Sequence, residues 1–225
     1  MSEESSPRGD ITESMPIEPG AATREARSIA ARSRAMSRKV IGDESPEDRT
    51  RQRCAVAVGD FAMAGLLRFC NDPVGAGLIA LDNEAPIITD IRMVSTGVLK
   101  RGHGSRILCA LDYGGSVAER EGITRTSAGI RALKDEIPGS IVVIGNAPSA
   151  LLALCRLVDE GIRPALVIGT PVGFVNAAES KELLRTYDVP SVSTEGTRGG
   201  TPVAVAVMNE LIIMHTEHAR PGSSG

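Results

Sequence analysis

Short runs of branched apolar residues alternate along the chain with longer segments of mixed polarity. Two of these runs, residues 141–144 and 165–168, each stop at a glycine that is followed by a polar, proline-containing turn and a helix-like segment. Runs without polar alternation are typical of strands buried on both faces of a parallel sheet. The pattern therefore predicts buried parallel strands whose carboxyl ends form a ligand site.

The rest of the chain continues this alternation of helix and strand. Residues 87–89 and 107–112 are predicted strands, and Asp90 directly follows the first of them. Ser45 before Pro46 is typical of an N-cap followed by a first-turn proline, and Thr124 is predicted to cap a later helix. Helices are predicted at residues 22–40, 46–58, 61–69, 73–81, 116–122 and 124–136. Such alternation requires crossover connections, which predicts the fold class α/β, with a mostly parallel sheet and helices on both faces.

Length and terminal composition predict how the chain is divided. Its 225 residues suit one α/β domain with a full core, which we place at residues 21–218. Residues 1–20 are rich in Ser, Pro and Glu and are predicted to be disordered, and residues 219–225 are predicted to form a flexible tail. We find neither an apolar run of about 18 residues nor the apolar stretch of a signal peptide. We therefore expect a cytoplasmic protein that does not bind membranes.

Charge and motifs argue against nucleic-acid and nucleotide chemistry. The net charge is −3, and aromatic residues make up 2% of the chain, so neither a basic surface nor stacking platforms for bases are expected. Gly145 is followed by Asn-Ala-Pro-Ser, which lacks the second glycine of a dinucleotide-binding fingerprint. A Walker A loop is also missing. We expect no nucleic-acid partner and no nucleotide cofactor.

Cysteines and histidines do not have the spacing of a metal site. We predict that the cysteines are reduced thiols and that the histidines face solvent, so we expect neither a metal ion nor a cofactor. The residues concerned are Cys54, Cys70, Cys109 and Cys155, with His103, His215 and His218.

Polar residues follow the predicted strands where a ligand would bind. Asn146 and Asn176 lie beyond the two apolar runs. An amide at a strand end either contacts a ligand, or caps the next helix or satisfies the backbone of the turn. Gly199 and Gly200 predict positive φ or a close backbone approach, either to a ligand or to a neighbouring strand. These residue types favour a pocket for an organic anion.

Three charged residues have both a functional and a structural interpretation. Asp90, at a strand end, either lines the site or pairs with Arg92 or Arg125. Arg125, in the first turn of a predicted helix, either binds a ligand or is a surface charge. Lys181 either contacts a ligand or pairs with Glu179. In each functional interpretation the side chain belongs to the anion pocket.

Five separated segments resemble the precorrin-8X / cobalt-precorrin-8 methylmutase family. They are residues 85–98, 122–133, 144–161, 163–184 and 197–209, and the likeness extends from about Ile29 to Met208. The resemblance implies an α/β homodimer that binds a contracted tetrapyrrole and needs no nucleotide and no metal of its own. It also implies an isomerase of cobalamin biosynthesis that moves a methyl group from C11 to C12 of (cobalt-)precorrin-8, giving cobyrinate or hydrogenobyrinate.

The same resemblance assigns roles to residues near the N-terminus. The segment 29–33 matches a family motif whose last residue contacts the substrate, which assigns that role to Ser33. The segment 53–60 matches a second motif, in which Arg53 takes the place of a substrate-contacting arginine. Val56 stands where the family has the histidine that handles a proton.

The valine leaves three hypotheses open for the chemistry. In the first, the chain is a variant methylmutase, such as one of the cobalt-first pathway, in which Asp60, Asp90 or Cys54 assists. In the second, it is a corrinoid-binding or carrier protein. In the third, it rearranges a different tetrapyrrole. The predicted substrate-binding residues are the same in each case: Ser33, Arg53, Asp90, Arg125, Asn146, Asn176 and Lys181.

Overall fold

The protein is described by a computed structural model for residues 23–219. The segment predicted to be disordered, residues 1–20, lies outside the described residues, and so does the predicted tail apart from Ala219. The bounds of the predicted single domain, 21–218, therefore stay a prediction. No helix among residues 23–219 is long and apolar enough to cross a membrane.

Six strands in this part of the chain form one sheet, in the order β1-β6-β5-β4-β2-β3. Every neighbouring pair is parallel except β1 and β6, which are antiparallel. The predicted α/β class with a mostly parallel sheet is confirmed. The strands are β1 (Leu67–Cys70), β2 (Ile87–Thr89), β3 (Ile107–Cys109), β4 (Ile141–Ile144), β5 (Leu166–Gly169) and β6 (Ser191–Thr194).

Nine α-helices connect and cover these strands over residues 23–219. They are α1 (Arg24–Ile41), α2 (Pro46–Val58), α3 (Pro73–Asp82), α4 (Arg92–Gly97), α5 (Gly115–Glu121), α6 (Arg125–Ala132), α7 (Pro148–Asp159), α8 (Ala177–Leu184) and α9 (Thr201–His218). Short 3₁₀ segments occupy Phe61–Leu66, Ala110–Asp112 and Lys134–Glu136.

The cap of α2 shows how local sequence sets a helix boundary. The Ser45 side chain accepts a hydrogen bond from the backbone N–H of Asp48 at 3.2 Å, and Pro46 occupies the first turn, where its missing N–H costs nothing. Gly59 ends the helix with φ at 66°, a left-handed conformation that glycine adopts without strain. The predicted helix at 46–58 is confirmed.

The central strands are buried because helices cover both sides of the sheet. Ile141 and Val143 belong to one apolar core, with residues of α2, α3 and α9. The alternate residues Val142 and Ile144 belong to a second core, with residues of α6, α7 and α8. Since successive side chains of a strand point to opposite faces, a strand between two helical layers must be apolar at every position.

Two predicted elements differ in the structure. The segment 61–69, predicted as a helix, is a 3₁₀ turn followed by the edge strand β1, because residues 67–70 pair with β6 instead of continuing the helix. The strand predicted at 107–112 ends at Cys109, and a 3₁₀ turn follows. The partner strand β6 was not predicted, since its sequence Ser-Val-Ser-Thr lacks the apolar run that marks β4 and β5.

Candidate functional site

The parallel strands bring several predicted residues to one edge of the sheet. Asp90 follows β2, Asn146 follows β4 after one glycine, and Thr170 follows β5. Because β2, β4, β5 and β6 run in the same direction, their carboxyl ends lie along this edge, which we call the strand-end rim. A ligand site at the rim is the arrangement that the sequence predicts.

Asp90 holds the turn that carries Asn146. Its buried carboxylate accepts hydrogen bonds from the backbone N–H groups of Gly145 at 3.2 Å and of Asn146 and Ala147 at 2.8 Å each. It also accepts one from Ile91, the next residue, at 3.0 Å. Burial raises the pKa of the Asp90 carboxyl, and these N–H donors oppose that rise without cancelling it. Asp90 therefore fixes the backbone of the rim.

The structural alternative predicted for Asp90, an ion pair with Arg92 or Arg125, is wrong. Arg92 pairs instead with Asp112 at 2.5 Å. Arg125 is exposed at the first turn of α6, and its guanidinium lies 3.4 Å from the carbonyl oxygen of Leu111, just beyond β3. Arg125 is therefore near the end of β3, at the same edge of the sheet as the other predicted residues.

Both asparagines are exposed, and neither caps a helix through its side chain. Ala147, not Asn146, is the N-cap of α7, which leaves the amide of Asn146 outside the capping position. Asn176 is the N-cap of α8 by backbone position, with φ at 61°, but its side chain makes no capping hydrogen bond. Neither helix has a side-chain capping hydrogen bond, so the capping interpretation loses its basis for both residues.

Lys181 is buried, contrary to the predicted surface ion pair. Its side chain has 0% exposure, so it is not a surface partner of Glu179. The ammonium group donates to the Thr194 hydroxyl at 3.0 Å and to the Arg198 carbonyl at 2.8 Å. Burial, followed by the charge of Arg185, lowers the pKa of Lys181 to about 8. The lysine therefore holds the loop between β6 and α9 to the end of β6.

This loop also contacts the end of β5. The N–H of Gly200 donates to the Thr170 carbonyl at 2.7 Å, and a Cβ placed on Gly199 would lie 2.3 Å from that oxygen. Both glycines have positive φ, at 154° and 104°. The predicted close backbone approach is confirmed, and the neighbour is the end of a strand.

An ion pair joins this loop to the end of α2. Arg198 donates to the Asp60 carboxylate at 3.0 Å, and the other Asp60 oxygen accepts from the N–H of Ala62 at 2.8 Å. Val56 lies in the last turn of α2, two residues before its end, and is exposed. The position equivalent to the family histidine therefore belongs to the same region of the fold as the strand-end rim.

Ser33 and Arg53 lie on the layer formed by α1, α2 and α9. Ser33 is half-buried on α1. Arg53 on α2 donates from Nε to the carboxylate of Glu210, a fully buried residue of α9. Arg53 also lines a cavity of about 460 Å³ between these helices, together with Arg34, Arg38 and other residues. The predicted site residues thus form two groups, one on this layer and one at the rim.

Four cavities among residues 23–219 do not bring the predicted residues together. Of four cavities delineated among residues 23–219, one is lined by Arg53, and none of the four is lined by Ser33, Arg125 or Asn146. Asn176 and Lys181 line none of the four either. An enclosed pocket that holds all of these residues therefore stays a prediction.

Large apolar side chains are exposed close to the predicted residues. Phe174 and Val175, in the loop after β5, are 93% and 76% exposed, and Met93, two residues into α4 after β2, is 66% exposed. On α1 the exposed residues Ile29, Met36 and Val40 lie at helical spacing on the face that also carries Ser33. Apolar groups of this size fit the face of a flat organic ring or another protein surface.

The histidines differ from the prediction that all three face solvent. His215 is largely buried: one ring nitrogen lies 2.9 Å from the Gly102 carbonyl and the other 3.0 Å from the Asp82 carboxylate. His103 is half-buried and lies 2.7 Å from the Leu99 carbonyl. His215 of α9 thus joins the end of α3 to the loop between α4 and β3, and His103 makes its contact within that loop.

The four cysteines are free thiols, and no group of three or more His, Cys, Asp or Glu side chains among residues 23–219 could hold a metal ion. Cys54 is of interest because it lies on α2, close to Val56. It is fully buried, and burial, followed by the nearby charge of Glu210, raises the pKa of its thiol. It is therefore unsuited to exchanging a proton at neutral pH.

Glu210 is a residue that the sequence analysis missed. It receives hydrogen bonds from Arg34, Arg49 and Arg53. The available signal was an acidic residue inside the apolar run of residues 203–214, since a carboxylate is rarely buried without cationic partners. The identity of those partners was not readable from the sequence.

Comparison with known proteins identifies the family. Residues 28–214 match the family model described as precorrin-8X methylmutase. The cobalt-precorrin-8 methylmutase of Methanocaldococcus jannaschii is 42% identical over 205 residues, which cover 86% of this chain and 96% of that protein. The chain belongs to the precorrin-8X methylmutase family. This confirms the resemblance and the predicted methylmutase.

Other methylmutases extend the comparison. The cobalt-precorrin-8 methylmutase of Methanothermobacter thermautotrophicus is 38% identical, over 87% of this chain and 96% of that protein. The precorrin-8X methylmutase of Pseudomonas aeruginosa is 41% identical, over 64% of this chain and 73% of that protein. A solved structure of precorrin-8X methylmutase from Thermus thermophilus has a TM-score of 0.79 and 35% identity, and covers 88% of this chain and 100% of that one. None of these findings supports the carrier alternative.

Proposed function

We propose that this methylmutase moves a methyl group from C11 to C12 of cobalt-precorrin-8, giving cobyrinate. The observation that carries the proposal is the family match over residues 28–214. The cobalt-bearing substrate is favoured because two relatives that cover more than four-fifths of the chain are named cobalt-precorrin-8 methylmutases. The metal in this proposal belongs to the substrate.

The residue types at the rim suit such a substrate. It has several carboxylates around an apolar ring, so its site needs cations and amides at the edge and apolar groups against the ring. Arg125 and Asn146 are exposed at the strand-end rim, and Phe174 and Met93 supply apolar surface nearby. Their contact with substrate stays a prediction, as do the corresponding roles of Ser33, Arg53, Asn176 and Lys181.

The reaction makes modest chemical demands on the protein. The methyl group stays within one molecule, so holding the ring in the reactive conformation supplies much of the acceleration. Asp90 and Lys181 are buried and serve this purpose indirectly, because they fix the backbone of the rim and of the loop that carries Arg198. Neither has to leave its hydrogen bonds during the reaction.

Any proton transfer needs a group other than the family histidine, since Val56 cannot exchange a proton. Three residues are candidates for this role: Cys54, Asp60 and Asp90. The Cys54 thiol is buried with a raised pKa, and the Asp90 carboxylate is buried against four backbone N–H groups. Asp60 is partly exposed, beside Arg198 and at the end of the helix that bears Val56. We assign any proton transfer to Asp60.

We also propose that the protein is a cytoplasmic homodimer in which a second copy of the chain completes the site. Two observations support the dimer. The predicted residues share none of the four cavities described above, and apolar side chains on α1 and in the loop after β5 are exposed. Light scattering of the purified protein tests the dimer directly: a mass of one chain across micromolar concentrations contradicts it.

Turnover of two substrates tests the reaction. The purified protein is incubated with cobalt-precorrin-8 and with metal-free precorrin-8X, and product is followed by absorbance and identified by mass and NMR. We expect conversion of the cobalt form and slower conversion of the metal-free form. Binding of the corrinoid product without turnover of either substrate would support the carrier alternative instead.

Two variants refine this test. Val56→His restores the group that handles a proton in the family, so it should accelerate turnover of the metal-free substrate more than that of the cobalt form. Asp60→Asn should slow the metal-free reaction if Asp60 exchanges a proton, while product binding stays close to that of the unsubstituted protein. Equal rates for the unsubstituted protein and Asp60→Asn, measured on both substrates, would remove Asp60 from the mechanism.

A further inference from the structure

Glu210 connects three helices through one buried carboxylate. Its side chain is 0% exposed and lies in the middle of α9. Arg34 of α1 donates two hydrogen bonds to it, at 2.9 and 3.1 Å. Arg49 of α2 donates at 3.0 Å, and Arg53, one turn further along α2, donates from Nε. The carboxylate is therefore shared by two helices that both carry predicted substrate contacts.

Two of these arginines are directly related to the predicted site. Arg53 is itself a predicted substrate contact, and Arg34 is adjacent to Ser33 in α1. A guanidinium group is planar, so a hydrogen bond from Nε sets the directions of both Nη groups as well. The contact between Glu210 and Arg53 thus determines where the Arg53 fork points. The contact with Arg34 holds α1, and with it Ser33, against α9.

Glu217 provides an internal comparison, because it lies two turns along the same helix. It binds Arg49 through two hydrogen bonds, at 2.7 and 3.3 Å, and it lines the same cavity as Arg53. Its side chain is 36% exposed. The two glutamates share one arginine, but among the described contacts only Glu210 reaches Arg34 and Arg53.

The carboxylate remains charged over the pH range of an ordinary assay. Burial alone would raise the pKa of Glu210, but hydrogen bonds and charges from Arg34 and Arg53 lower it to about 2. Replacing a buried ion pair with apolar residues is often neutral for stability. Stability alone therefore does not explain why a buried carboxylate is shared by three arginines.

We propose that Glu210 is a positioning residue for the substrate: by holding Arg53 and Arg34 it orients the arginine fork and the α1 face that bind the substrate's carboxylates. This inference rests on the proposed function. Glu210 itself does not touch the substrate, and its effect is transmitted through Arg53 and Arg34.

The test compares Glu210→Gln with Glu217→Gln. Affinity for the corrinoid product is measured by absorbance titration, and kcat and KM are measured with cobalt-precorrin-8. For Glu210→Gln we expect Kd and KM to rise about tenfold, with a smaller change in kcat. A tenfold effect is usual for the coupling between two residues in direct contact. Glu217→Gln should change them less than about twofold, because it leaves Arg53 in place.

A double-mutant cycle distinguishes positioning from a general structural role. When Glu210→Gln is made in an Arg53→Ala background, its effect on Kd should be clearly smaller than in the unsubstituted protein, since one of the two arginines through which it acts is gone. An undiminished effect in that background would overturn the inference. If Glu210→Gln does not fold, Glu210→Asp keeps the charge and withdraws the carboxylate by one methylene group. It should weaken binding in the same direction.

Failure of this inference can be told apart from failure of the proposed function. If the unsubstituted protein turns over its substrate, and the Glu210 variants bind and react as it does, then only the inference is wrong. If the unsubstituted protein neither binds a corrinoid nor reacts, the proposed function is wrong and the inference falls with it.

Discussion

Replacing Lys181 with methionine should change how the stability of the protein depends on pH. Methionine has a similar length and no charge, so it can occupy the buried space of the lysine stem. It removes the two hydrogen bonds that the ammonium group donates, to Thr194 and to the Arg198 carbonyl. That carbonyl keeps the hydrogen bond from the Thr194 hydroxyl, at 2.7 Å, so it is not left unpaired in the variant.

The magnitude follows from the pKa of the buried amine. Burial, followed by the charge of Arg185, lowers the pKa of Lys181 from 10.5 to about 8. At about 1.4 kcal/mol for each pKa unit, this difference corresponds to about 3 kcal/mol. Below pH 8 the lysine is charged in both the folded and the unfolded chain, and the folded chain bears the whole cost of burying that charge. Between pH 8 and 10.5 the folded chain loses the proton first, so this cost disappears as pH rises.

The free energy of unfolding of the unsubstituted protein should therefore rise relative to Lys181→Met as pH increases. We expect the difference between the two proteins to change by about 2 to 3 kcal/mol between pH 7 and pH 10. Urea unfolding followed by circular dichroism measures it, and other titrating groups cancel because both proteins contain them. Lys134→Met, at an exposed lysine, controls for the loss of one charge. A difference that stays constant from pH 7 to pH 10 would refute the reasoning.

Four further substitutions test separate parts of the structure. Asp90→Asn should destabilise the protein by about 2 to 4 kcal/mol in urea unfolding, because its amide cannot accept all four backbone N–H groups and brings an extra donor to them. Gly129→Ala places a Cβ 1.9 Å from the Ala110 carbonyl oxygen and should destabilise by about 1 to 3 kcal/mol. Gly115→Ala is the control, because a Cβ at this helical glycine meets no atom within 4 Å, and it should leave the melting temperature unchanged or slightly raised. Equal effects of the two glycine variants would contradict the steric argument. Arg53→Ala should weaken corrinoid binding by about 1.5 to 3 kcal/mol in a titration, and unchanged affinity would exclude Arg53 from the site.

Local sequence patterns were sufficient to predict the elements whose bounds are set by their own residues. The strands β4 and β5 were predictable because each is a short apolar run that ends near a glycine, and helix α2 because serine, proline and glycine mark its ends. The edge strand β1 and its partner β6 were not predicted. Their pairing joins residues 67–70 to residues 191–194. Neither segment has a sequence pattern from which this pairing could be predicted. A strand stabilised mainly by hydrogen bonds to a distant segment leaves little local trace.

The sequence by itself determined the fold class, the family resemblance and the type of chemistry at the strand ends. Only the tertiary structure decided what the charged residues do. Arg53 and its partner Glu210 are 157 residues apart in the chain. Lys181 of α8 donates to the Arg198 carbonyl, in the loop between β6 and α9. A hydrogen bond between side chains depends on distances of a few tenths of an ångström, which the packing of helices sets and the order of residues does not reveal.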